Sequence, residues 1–191
     1  MNKLLLIIDP QNDFLDTGSL PVKGAISVMD NLSDFVKEHG DEFSIKVFTA
    51  DFHPFNHCSF KESNSEGAWP RHCVMHSVGA AIYPKLQKTV ESSHGEVFYL
   101  TKGTSVDKEE YSLMDNPKSS EDLKKIVEHF NVDVIAVCGI MSEVCVLDTI
   151  KGLVKAGYKD KLVVYPDFCP SLDGGKALIT YLEDENINYV K

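Results

Sequence analysis

The chain has 191 residues, 43% of them hydrophobic and 25% charged, a composition that suits one soluble domain with a full core. Its 29 acidic residues outweigh 19 basic ones, and the net charge of -10 makes the surface repel phosphate backbones and anionic lipids. Nucleic acid and membrane partners are therefore not expected.

The first predicted strand spans residues 3–9 and carries the apolar run Leu4-Leu5-Leu6-Ile7-Ile8. Asp9 stops that run too early for a secretory leader or a bilayer span. A helical pattern follows at residues 24–38, then a second strand at 44–50 that runs into Asp51-Phe52-His53-Pro54-Phe55-Asn56-His57. Asp51 and His53 alternate on extended backbone and can point to one side, and His72 can return from the long irregular segment 51–76. One carboxylate and two imidazoles, with positions left for water or substrate, make an open divalent-metal site suited to zinc, iron or manganese. Trp69, the only tryptophan, precedes a proline in the same polar loop and is a candidate wall for a flat ring, as is Phe14.

A helix at 80–89 and a strand at 96–101 lead to Lys102 and a second irregular segment, 102–118. Another helix at 120–130 precedes a strand at 132–138, after which Gly139 turns the chain into a helix at 143–156. Cys145 then falls in a first helical turn, where unpaired N–H groups and the helix dipole favour a thiolate. A lone cysteine is more often a small core residue, so the company it keeps decides its role. Strand 162–165, helix 175–183 and a short edge strand at Asn188-Tyr189-Val190 complete the chain. The alternation calls for an α/β fold, an open, mostly parallel Rossmann-like sheet with helices on both faces. With no repeat or linker, residues 1–191 read as a single domain. The five cysteines are odd in number and irregularly spaced, which fits a reducing, cytoplasmic location.

Asp9, Lys102 and Cys145 lie at or just beyond the carboxyl ends of separate strands, and parallel pairing would bring them to one crevice. A carboxylate beside a cysteine can take its proton, and an ammonium nearby favours the thiolate and keeps the carboxylate charged. Taken singly, Asp9 reads as a turn residue before Pro10 and Lys102 as a solvated charge.

These segments together resemble the isochorismatase-like cysteine hydrolases, in particular their nicotinamidase (pyrazinamidase) branch, over nearly the whole chain. Asp9-Pro10-Gln11-Asn12-Asp13-Phe14 is similar to the opening motif, Lys102-Gly103 to the lysine–glycine pair after the third strand, and Gly139-Ile140-Met141-Ser142-Glu143-Val144-Cys145-Val146 to the nucleophile segment. Trp69-Pro70-Arg71-His72-Cys73-Val74 is close to the form usual in that branch. The resemblance implies Asp9, Lys102 and Cys145 as catalytic residues and a cis peptide before Met141. It implies Asp51, His53 and His72 as ligands of one divalent metal, zinc first among the candidates. His57 is the further ligand it allows, with Glu62 and Glu66 as alternatives. Leu113-Met114 and a short tail after Asp173-Gly174-Gly175 depart from the pattern.

The implied reaction is hydrolysis of nicotinamide to nicotinate and ammonia for NAD salvage, with pyrazinamide as an analogue. Phe14 and Trp69 would hold the ring and the backbone N–H groups of Met141 and Cys145 the oxyanion; a homo-oligomer is compatible with the pattern. The rival readings are a metal-free amide or carbamoyl hydrolase of the same superfamily, a vinyl-ether hydrolase acting on isochorismate, and a non-catalytic metal-binding module in which Cys145 only packs.

Overall fold

In a computed structural model describing residues 1–190, six parallel strands form one open sheet in the order β3-β2-β1-β4-β5-β6. They are β1 (Lys3–Ile8), β2 (Ile45–Asp51), β3 (Glu96–Lys102), β4 (Val134–Gly139), β5 (Leu162–Val164) and β6 (Asn188–Tyr189). Five helices connect them: α1 (Ala25–His39), α2 (Pro84–Ser92), α3 (Pro117–His129), α4 (Leu147–Lys155) and α5 (Lys176–Asp184). Strand order runs outward from β1 in one direction and from β4 in the other. Right-handed crossovers then place α1 and α2 on one face and α4 and α5 on the opposite one.

The inner strands are apolar because both faces are covered, and Leu4 to Ile8 are almost wholly buried. At the centre, Ile8 pairs with Gly139 so closely that a Cβ on Gly139 would lie 2.1 Å from the Ile8 carbonyl oxygen. Only glycine accepts that approach at φ +125°. Reversal of strand order between β1 and β4 opens a crevice at their carboxyl ends, into which the segments after β1, β2, β3 and β4 all project.

Several boundaries differ from the sequence reading. Helix α3 starts three residues before the predicted 120, since Pro117 occupies its first turn and the Asn116 side chain accepts a hydrogen bond from the Ser119 N–H. Pro84 likewise starts α2 later than the predicted 80. The predicted helix 143–156 is divided: a π-turn, Ser142–Val146, precedes α4. Such turns concentrate at functional sites.

Candidate active site

Asp9 leaves β1 at φ 45°, held there by its N–H donating to the Thr49 carbonyl at 3.1 Å and by the Thr49 hydroxyl donating to its Oδ1 at 2.5 Å. Lys102 closes β3 and Cys145 stands on the π-turn after β4. The Lys102 ammonium lies 2.9 Å from Asp9 Oδ2, 2.5 Å from Asp51 Oδ1 and 3.5 Å from Cys145 Sγ. All four side chains are buried. The Lys102 contact to Asp9 Oδ2 is an ion pair rather than an aligned hydrogen bond, which leaves that oxygen a lone pair for a proton. One oxygen of each carboxylate and the Cys145 sulfur lie within 4.8 Å of one another.

Burial alone would neutralise these groups, and their partners decide which resist. For Lys102, burial lowers the pKa but the Asp51 and Asp9 carboxylates outweigh it and hold the ammonium charged. Asp51 is pulled well below the usual carboxylate range by Lys102 and His53 against the effect of burial. Asp9 goes the other way: burial raises it, the Lys102 charge offsets this only in part, and Asp51 adds repulsion. A raised carboxylate is a stronger base. For Cys145, burial and the two carboxylates raise the thiol above its ordinary value in spite of Lys102. Burial and the two carboxylates thus work against the thiolate that a helix terminus was expected to favour.

Beside this group stands a second one. Asp51, His53 and His72 each offer a ligand atom within 4.8 Å of the others. His53 Nδ1 donates to the Gly103 carbonyl at 2.9 Å and His72 Nδ1 to the Pro70 carbonyl at 2.8 Å. Those bonds fix the tautomer, so both Nε2 lone pairs face Asp51 Oδ2, at 3.7 and 4.0 Å. Acceptors facing an acceptor across such distances are reconciled by a proton or by a metal ion between them. This donor set fits a divalent metal, with two imidazoles already oriented by carbonyls as metal-bound histidines are. Asp51 raises the pKa of His53 against burial, while burial lowers that of His72.

His57, expected as a further ligand, is not brought into this cluster. Its Nδ1 accepts from the Ser59 hydroxyl at 2.7 Å and its Nε2 donates to the Lys108 carbonyl at 3.0 Å, so neither nitrogen is free. Its ring lies against that of His53, with centroids 4.2 Å apart. Glu62 and Glu66 are exposed and do not approach.

Phe14 and Trp69 line the crevice between the two groups, together with Leu20, Tyr111, Met141 and Val144. The Trp69 indole N–H donates to the Tyr111 hydroxyl at 3.0 Å, which joins the two long segments across the mouth. Glu109 also lines the crevice, its pKa raised by burial and by Asp51. The sequence reading missed Glu109 as a site residue, since it lies in an irregular segment with no periodicity to place it; Tyr111, one of the aromatic residues read as a possible wall for a flat ring, does line the crevice. The Ile140–Met141 peptide is cis, as the resemblance implies.

A fold and an edge of this kind define a class, and the isochorismatase domain model matches residues 3–183. The chain belongs to the isochorismatase family, within its nicotinamidase/pyrazinamidase branch. It is 32% identical over 165 residues to the nicotinamidase/pyrazinamidase of Mycobacterium tuberculosis, covering 85% of this chain and 84% of that protein. Among solved structures, the pyrazinamidase of Pyrococcus horikoshii in complex with zinc superposes with a TM-score of 0.83 at 27% identity, covering 100% of this chain and 99% of that one. PnC1 from L. infantum in complex with nicotinate gives 0.84 at 28%, covering 100% and 92%.

Proposed function

We propose that this protein is a metal-assisted cysteine amidohydrolase that converts nicotinamide to nicotinate and ammonia, feeding NAD salvage. The observation that carries the reading is the contact of one buried ammonium, Lys102, with Asp9, Asp51 and Cys145, which ties a nucleophile and its base to the metal cluster. Relatives named nicotinamidase and a neighbour solved with nicotinate supply the substrate class.

Asp9 takes the Cys145 proton as the sulfur attacks the amide carbon, and Lys102 stabilises the thiolate character that develops. The N–H groups of Met141 and Cys145 hold the oxyanion, a contribution of about 3–4 kcal/mol per donor in acyl-transfer sites. Asp9 returns the proton to the departing amine, which leaves as ammonia. It then deprotonates the water that cleaves the thioester, and nicotinate departs as the proton goes back to sulfur. Phe14 and Trp69 orient the ring. Asp51, His53 and His72 would hold a divalent ion, zinc in the first instance, that supplies a Lewis-acidic anchor for the ring nitrogen. The free, irregularly spaced cysteines support a cytoplasmic setting, and one continuous hydrophobic cluster supports residues 1–191 acting as one domain.

Purified protein given nicotinamide should release ammonia and nicotinate in equal amounts, while Cys145→Ala should release neither and keep its metal content. Turnover by the alanine variant would sink the covalent mechanism. Absence of release by wild-type protein carrying metal would sink the substrate assignment.

A further inference from the structure

Glu110 has no part in the reaction as derived, yet its carboxylate is among the most thoroughly buried in the molecule, with 2% of the residue exposed. Isolated buried carboxylates are costly, so one that stays ionised has work for its lone pairs. Its Oε2 accepts from the Gly103 N–H at 2.8 Å and from Asn116 Nδ2 at 2.9 Å, and its Oε1 faces Lys108 Nζ at 3.2 Å. Those bonds pull its pKa down against the effect of burial. Asn116 is itself fixed at the start of α3 through the Ser119 N–H. The carboxylate is thus anchored to a helix and grips the Lys102–Gly103 peptide by its N–H.

That peptide adjoins the metal cluster. Gly103 follows Lys102 at φ +64°, and a Cβ there would meet the His53 ring at 2.3 Å, so the backbone lies directly against the imidazole. The Gly103 carbonyl is the acceptor for His53 Nδ1. That carbonyl belongs to the next peptide, one Cα beyond the N–H that Glu110 holds, so a shift of the Gly103 backbone would withdraw the acceptor and release the ring.

We infer that Glu110 is a positioning residue for the metal site, acting through the Gly103 backbone to hold His53 in the tautomer and orientation that present Nε2 toward Asp51 and His72. The role rests on the reading of Asp51, His53 and His72 as metal ligands. Outer partners of this kind typically matter roughly 10–100-fold in metal affinity.

The substitutions that separate orientation from bulk are Glu110→Met, which fills a similar volume with no acceptor, and Glu110→Gln, whose amide oxygen can still accept from Gly103 and Asn116. Lys108→Met removes the half-exposed ion-pair partner together with its bond to the Asp115 carbonyl, and leaves the grip on Gly103 intact. Zinc affinity, measured by competition with a chelator on folded protein, should fall roughly 10–100-fold in Glu110→Met, stay within about fivefold of wild type in Glu110→Gln and be unchanged in Lys108→Met. A Glu110→Met protein that folds and holds zinc as tightly as wild type would overturn the role, and so would a Lys108→Met protein that loses as much as Glu110→Met. Should Glu110→Met fail to fold, nitrogen-15 NMR of histidine-labelled, zinc-loaded wild type decides. Metal on Nε2 of His53 with a slowly exchanging Nδ1 proton supports the relay, and metal on Nδ1 refutes it. Equal zinc binding by wild type and His72→Ala would instead remove the metal site itself, and this role with it.

Discussion

Lys102 sets one positive charge against two buried carboxylates, and the balance is what makes it more than a loop residue. Removing one partner of a buried ion pair typically costs about 3–5 kcal/mol, because the other charge is left without compensation. Lys102→Met should therefore lower unfolding free energy by about that much in urea titrations, besides abolishing turnover. Adding Asp9→Asn to the same protein should restore part of the loss, since it removes one orphaned charge. Stability equal to wild type would return Lys102 to the solvated reading it had in isolation. Asp9, Lys102 and Cys145 were legible in the sequence because each sits where a strand ends, and parallel pairing converts that position into proximity. The state of the thiol was not. Position in a first turn predicts a favoured thiolate, but the sequence does not show the burial and the two carboxylates that push the thiol the other way. His57 was misplaced for a related reason: proximity in sequence to His53 did bring the rings together, but the Lys108 carbonyl that claims its nitrogen comes from a segment 51 residues away.

Among the elements, the strands were read within a residue or two, the inner ones because both-sided burial writes itself as a continuous apolar run. Helix starts were read less well. Pro117 and Asn116 begin α3 before its apolar period does, and the π-turn at Ser142–Val146 has a sequence that periodicity alone reads as plain helix. The turn depends on the junction before it, where β4 meets β1 at Gly139. Gly139→Ala would combine a positive φ with a clash against backbone that no side-chain rotation relieves. A loss of about 3 kcal/mol or more in unfolding free energy is expected. A loss under about 1 kcal/mol would mean that the two central strands separate easily at this end. At the mouth, the Trp69 indole N–H donates to the Tyr111 hydroxyl across the two segments, and Tyr111→Phe should remove that bond while keeping the ring. The expected result is a KM raised a few-fold with kcat little changed, since orientation of the wall and not the reacting groups is affected.

For the molecule as a whole, metal and protons compete for the same space, and the competition has a sign. A cation that binds only the folded form stabilises it by about 2.7 kcal/mol at one hundred times its Kd, which for a chain of this size is a rise in Tm of roughly 5–10 °C. The histidines must be neutral to accept it. Asp51 raises the pKa of His53 above its ordinary value of 6.5, so without metal the protonated His53–Asp51 pair stabilises the fold at low pH. That contribution is fully present below 6.5 and is lost as pH rises through the raised value. His72, lowered by burial, resists protonation until the pH is below 6.5 and adds its competition there. Asp51, pulled down by Lys102 and His53, stays ionised throughout. The zinc-induced rise in Tm should therefore be small below pH 6.5, where His53 holds its proton, and should grow as pH rises through the raised His53 value. Thermal scans with and without zinc across that range measure it directly. A rise of the same size at every pH would place the bound zinc away from Asp51, His53 and His72, and the metal-free amidase would then be the better account of the crevice.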